Sequence, residues 1–214
     1  MKLISVNVGQ PRGVPWRGDT VATAIFKRPV EHPVQLRRLN LDGDRQADLR
    51  VHGGPEKAVY VYPSEHYEFW RRELTGIELP WGAFGENFTT EGLLEDGAFV
   101  GDWFRIGGAI VTVAQPRMPC YKLGIKFGRN DIIKRFLASR RTGFYFSVGQ
   151  EGEVRAGDPI EPLAQDENRI SVADIVQLYV ADKPDSGLLQ RAVRLEALPA
   201  NWRDYFRQRL QQAS

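Results

Sequence analysis

Up to about Pro162 the chain alternates short apolar runs with Gly, Pro and Asp, a punctuation that predicts strands folded into a barrel or a curled sheet. Ile4, Val6 and Val8 alternate with polar residues, as in a half-buried strand. Thr20 to Phe26 is rich in β-branched residues, and Ala58 to Tyr62 is an apolar run stopped by Pro63. Phe104, Ile106, Ile110, Val111 and Val113 bracket Gly107-Gly108 as the arms of a hairpin. Gly101-Asp102 and Gly157-Asp158 each precede a strand, one turn solution used twice. Two helices interrupt this region. Ser64 is placed to cap one carrying Tyr67, Trp70 and Leu74, and Asn130 or Asp131 another carrying Ile132, Ile133, Phe136 and Leu137.

After Gln165-Asp166-Glu167-Asn168 the apolar period changes from two to about 3.6. Ser171 and Asp174 form a capping-box-like start to a helix with Val172, Ile175, Val176 and Tyr179. Asp185 or Ser186 opens a second, with Leu188, Leu189, Ala192 and Val193; Leu198, Trp202, Tyr205, Phe206 and Leu210 mark a third. The expected class is therefore α+β and β-rich, with a strand domain over residues 1–164 and a small three-helix domain over 169–212.

Composition narrows the function. Five Trp, seven Tyr and eleven Phe among 214 residues, at a formal net charge of +2, describe a chain that buries a core. Its single cysteine permits no intrachain disulfide, no Cys-only zinc site and no iron–sulfur cluster of its own, and points to a reducing cytosol. Gly9 and Gln10 interrupt the N-terminal apolar stretch before a signal core forms, and no run reaches the roughly 20 apolar residues of a membrane span. A cytoplasmic protein is expected.

Charge is unevenly spread. Between Gln115 and Arg141 eight basic residues face one acid, Asp131, and the only cysteine, Cys120, lies among them. Neighbouring cations favour the thiolate, the form that attacks electrophiles or binds metals. Pro116 and Pro119 stiffen the loop ahead of it, and Arg117 and Lys122 supply charge. A second candidate is His52-Gly53-Gly54-Pro55-Glu56-Lys57, where glycines let backbone amides approach an anion and Lys57 adds a point charge. A third is Gly85-Glu86-Asn87, whose Asn87 amide can pair with a heterocycle edge.

Other chemistries fit poorly. Asp42-Gly43-Asp44-Arg45-Gln46-Ala47-Asp48 has a misplaced glycine for a calcium loop, with Gly53 where the twelfth-position Glu belongs. His32, His52 and His66 lack the spacing of a helical zinc pair. No G-x-G-x-x-G follows a strand, so no dinucleotide site is indicated. A Cys120/His52 hydrolase and nucleic-acid binding by the basic cluster stay as rival readings.

Taken in order, Gly43-Asp44-x-Gln46-Ala47-Asp48, His52-Gly53-Gly54-Pro55-x-Lys57-Ala58-Val59-Tyr60, Gly85-Glu86-Asn87, Gly101-Asp102, Gln115-Pro116-Arg117-x-Pro119-Cys120-x-Lys122-Leu123 and Thr142-Gly143-Phe144-Tyr145 resemble the MOSC family. That family is named for the C-terminal domain of molybdenum-cofactor sulfurases, and the match is nearest its stand-alone bacterial branch with three C-terminal helices. The resemblance implies a β-barrel domain with peripheral helices that binds the molybdenum–pyranopterin cofactor, Cys120 being the molybdenum ligand or a sulfur carrier. It also implies cofactor contacts at His52, Gly53, Gly54, Lys57, Glu86, Asn87, Arg117 and Lys122. The implied reaction is reduction of N-hydroxylated compounds, including base analogues such as hydroxylaminopurine, a detoxification; sulfur transfer from a Cys120 persulfide is the alternative. Because one cysteine cannot hold an iron–sulfur relay, electrons are expected from a separate reductase or a ferredoxin- or flavodoxin-type protein. The three helices are then a docking surface, a cap on the barrel or a homodimer contact.

Overall fold

The computed structural model describes residues 1–48 and 53–213. Along the chain run β1 (Lys2–Val8), β2 (Arg12–Trp16), β3 (Asp19–Thr23), β4 (Arg28–Val30), β5 (Val34–Leu36) and a 3-10 turn (Pro55–Lys57). There follow β6 (Val59–Pro63), α1 (Glu65–Glu73), β7 (Phe88–Glu91), β8 (Trp103–Ile106), β9 (Ala109–Pro116), α2 (Tyr121–Phe127) and α3 (Ile132–Ser139). The last elements are β10 (Phe144–Gln150), β11 (Gly152–Val154), β12 (Ile160–Ala164), α4 (Val172–Val180), α5 (Ser186–Arg194) and α6 (Ala200–Ala213). None of the helices is long and apolar enough to cross a membrane, among the described residues.

Eight strands form one sheet in the order β12-β8-β9-β10-β6-β7-β1-β4, and β11-β5 and β2-β3 are separate two-stranded pieces. Pairing is antiparallel except between β6 and β7, which are parallel and joined through α1, as a crossover requires. The expected barrel takes the form of a curled sheet: no continuous ladder closes it among the described residues. Three backbone bonds tie its far end to β1 instead, from Leu3 N to Asp158 O (2.9 Å), Gly157 N to Leu3 O (2.7 Å) and Ile160 N to Met1 O (3.0 Å).

β1 departs from its alternation. Of Ile4, Val6 and Val8 only Val6 is buried, together with Leu3, Ser5 and Asn7. The pairing with β7 is irregular between Leu3 and Ser5, which shifts the inward face. The inward polar groups are satisfied: Ser5 Oγ donates to Asn7 Oδ1 (2.8 Å), and Asn7 Nδ2 to Thr89 Oγ1 (3.1 Å).

The helix caps divide. Ser171 and Asp174 complete the expected capping box, and Asp185 accepts from Leu188 N at 2.6 Å. Ser64 and Asp131 precede their helices but make no capping bond, because both have helical backbone angles. The Asp131 carboxylate is held by Arg129 and Arg135, and the Arg129 bond draws its pKa down to about 2. α2 falls where the patterning predicts a loop.

One apolar cluster runs from the sheet (Leu3, Val61, Val111, Phe146) into the terminal helices (Ile175, Leu189, Phe206) without a break. A second, aromatic cluster lies between β6, α1 and α3, where Tyr62, Trp70, Phe84 and Phe136 are fully buried. Truncating a ring such as Trp70 costs about 3–5 kcal/mol. The second cluster forms a rigid floor beneath the site.

Candidate functional site

β9 ends at Pro116 and the chain runs through Arg117, Met118 and Pro119 to Cys120, the residue before α2. Cys120 is half-buried and extended (φ −116°, ψ 169°), and its sulfur does not cap the helix. α2 forms because Leu123 and Ile125 bury against the fold, and it stops at Gly128 in the left-handed region. The hairpin β2–β3 leans across it: a Cβ on Gly124 would stand 3.8 Å from Trp16 Cζ2.

A cleft of about 660 Å³, counting its open mouth, lies between these elements. Of the residues expected at the site, Lys57, Asn87, Arg117, Cys120 and Lys122 line it. Gly53 and Gly54 do not, though Gly54 accepts from Lys57 N (3.1 Å) and so shapes the turn carrying that lysine. Glu86 lies behind the wall, fully buried, and His52 is outside the described residues.

Arg117 is the unusual member. It is only 5% exposed, its guanidinium stands over the rings of Tyr60 (5.1 Å) and Phe136 (5.3 Å), and its Nη1 has no hydrogen-bond partner. A buried cation with an orphaned donor is destabilising, and an anion in the cleft removes that cost. Its backbone is fixed from behind, Arg117 N donating to Gly143 O (3.1 Å) while Gly143 N donates to Glu95 Oε1 (2.7 Å). Glu95 in turn pairs with His66 Nε2 at 2.7 Å.

Patterning missed a second group in the cleft. Lys27 Nζ lies 2.5 Å from Asp44 Oδ1, which also accepts from Gly9 N (2.7 Å). Burial holds the Lys27 pKa below the usual lysine value, against the pull of Asp44. Asp44 Oδ2 accepts from Asn87 Nδ2 (2.9 Å), and Asn87 Oδ1 from Tyr60 N (3.2 Å). The Asn87 amide expected to read a heterocycle is thus engaged by protein groups, and it braces the wall. Glu86 accepts from Gly82 N (2.8 Å), Phe84 N (3.0 Å), Thr89 Oγ1 (3.0 Å) and the Tyr67 hydroxyl. Burial nonetheless raises its pKa. Tyr60 and Tyr145 also line the cleft, and burial raises both phenols, so they are neutral at pH 7.

The donor set suits a large anionic cofactor that brings its own metal ligands. Among the described residues no group of three His, Cys, Asp or Glu is arranged to hold a metal ion, while the wall offers one soft thiol, the unpartnered guanidinium nitrogen and several lysines.

These features define an α+β domain whose cleft is lined by cations and one thiol. Residues 48–161 match the MOSC domain and residues 170–213 the YiiM-like 3-alpha helix domain. The chain belongs to the MOSC family, whose domains are associated with the molybdenum cofactor. It is 42% identical over 204 residues to the uncharacterized protein YflK of Bacillus subtilis, covering 95% of this chain and 92% of that one. The crystal structure of YiiM from Geobacillus stearothermophilus superposes with a TM-score of 0.81 at 34% identity, over 98% of each chain. A protein of Gibberella moniliformis named a reductase is 30% identical over 181 residues, 83% of this chain but 32% of that much longer one.

Proposed function

We propose that the protein is a cytoplasmic oxidoreductase that holds the molybdenum cofactor in this cleft and reduces N-hydroxylated compounds such as hydroxylaminopurine. The observation that carries the reading is Arg117, a buried guanidinium with an unpartnered Nη1 in the wall that also presents the chain's only thiol. Membership of the MOSC family and the fungal relative named a reductase support it.

When bound, the cofactor supplies a two-electron redox centre with soft sulfur ligation. Cys120 contributes the protein's ligand, and Arg117, Lys57 and Lys122 offset the phosphate charge of the pterin. Neutral Tyr60 and Tyr145 line the cleft without adding charge to it. Lys27 holds a proton at Nζ beside Asp44, where a departing hydroxyl can take it. The balance is one N–OH group, two electrons and two protons to one N–H group and one water.

Elemental molybdenum and pterin analysis of freshly isolated protein tests the reading, together with turnover of hydroxylaminopurine under a chemical reductant. Stoichiometric molybdenum with formation of the amine is expected. Metal-free protein carrying one labile extra sulfur on Cys120 would instead establish the sulfur-carrier alternative.

A further inference from the structure

Phe26 lies between Ile25 and Lys27, two residues of the cleft wall, and two cations stand over its ring. The Arg12 guanidinium stands 3.8 Å from the ring centroid and Lys126 Nζ 4.9 Å from it. Burial lowers the pKa of Lys126, and Arg12 and Arg28 add like-charge repulsion against the opposing attraction of buried Glu86. Among the described residues none of the three cations makes an ion pair. Arg45 lines the cleft and is exposed.

Several arginines elsewhere on the surface find acceptors: Arg37 on Asp42, Arg135 on Asp131, Arg155 on Asp158, Arg207 on Asp204. On the terminal helices, Arg191 and Arg209 donate to backbone carbonyls. Clustered like charge without an ion pair is unfavourable within one chain and favourable toward an acidic partner, which it also steers.

We propose that this face docks an acidic electron-carrier protein, with Arg12 and Lys126 on Phe26 and the like-charged Arg28 at its centre. The inference rests on the redox reading above. That reading requires an outside donor, since one cysteine holds no iron–sulfur relay; the carrier loses two electrons for each N–OH reduced to N–H and water. Proximity selects this face over the terminal helices: Lys126 is one turn along α2 from Lys122, and Phe26 is flanked by wall residues. A protein fits better than a nucleic acid because the charge is local and the whole chain carries only +2.

The test titrates oxidised flavodoxin, an acidic flavoprotein, into the full-length chain by calorimetry at low and physiological salt. The proteins are wild type, Arg12→Glu/Arg28→Glu and Arg12→Gln/Arg28→Gln, with exposed Arg105→Glu/Arg194→Glu as the control for net charge. Kd is expected to rise about tenfold with salt and about tenfold or more in the Glu pair, less in the Gln pair and little in the control. In molybdenum-loaded protein, the KM for reduced flavodoxin rises in parallel while dithionite-driven turnover stays the same. Absent binding, or equal binding by wild type and the Glu pair, overturns the docking face and leaves the redox reading standing if dithionite still drives turnover. Wild type that dithionite cannot drive overturns both. Tighter binding of inorganic pyrophosphate or of a single-stranded oligonucleotide, lost in the same variants, also overturns the proposal.

Discussion

The indole of Trp202, on the last helix, donates to Gln115 Oε1 across 2.9 Å, five residues ahead of Cys120. Gln115 Nε2 donates in turn to Glu56 O at 3.0 Å. One buried amide therefore links the terminal helices to both the cysteine strand and the turn that carries Lys57.

Trp202→Phe leaves Gln115 Oε1 buried without its donor, at a cost of about 1–3 kcal/mol. Each kcal/mol lowers Tm by about 2–4 °C in a chain of this size. Calorimetry should record that drop, and an unchanged Tm would show the link to be energetically idle.

Arg117→Met separates binding from stability. It keeps the bulk over Tyr60 and Phe136 but removes a buried charge whose Nη1 is unpartnered, so Tm should hold or rise. Binding of inorganic phosphate or retention of the pterin should fall about tenfold or more. A large loss of Tm would mean that the guanidinium serves the fold.

Cys120→Ser should retain the wild-type circular dichroism and Tm, because the sulfur makes no capping bond and is half-exposed. Molybdenum content by mass spectrometry should fall to background. Full metal retention would remove the thiol from the proposed site.

Alkaline pH should unfold the protein cooperatively. Burial raises the pKa of Tyr60, Tyr62, Tyr67 and Tyr145 above the ordinary value of 10.0. The folded state thus keeps protons that the unfolded state releases. Their contribution is complete below pH 10 and is lost as pH rises, by about 1.4 kcal/mol per pH unit for each phenol. Tyrosinate absorbance and loss of ellipticity should rise together; ionisation well before unfolding would contradict the buried placement.

Gly143→Ala should disable both fold and site. Gly143 has φ +65°, and a Cβ there would meet Val61 O at 2.3 Å and Tyr62 Cδ2 at 2.8 Å. Left-handed strain and overpacking together cost about 2–5 kcal/mol. A soluble variant of normal Tm would show that the turn can move.

Much of the architecture was legible because periodicity reports burial directly. The β6 run ending at Pro63, the Gly107-Gly108 hairpin and the Ser171–Asp174 box all depend on neighbours in sequence. α2 escaped because two prolines precede it and Gly124 breaks its apolar face; tertiary burial of Leu123 and Ile125 decides the matter. At the site, Cys120, Arg117 and Lys122 could be found together since one short segment carries them. Lys27 could not: its role depends on Asp44, seventeen residues away, and a lysine beside an arginine and a proline carries no local mark of burial. Asn87 was placed in the wall by its motif, but its partners Asp44 and Tyr60 come from distant segments, so bracing rather than reading was invisible.

A chain with one sulfhydryl group gives every thiol-directed label a single address. A fluorophore, spin label or alkylating warhead attached there reports from the cleft, and its rate of attachment measures how open that cleft is. Occupancy by any guest can thus be followed by protection from labelling, without knowledge of what the guest is.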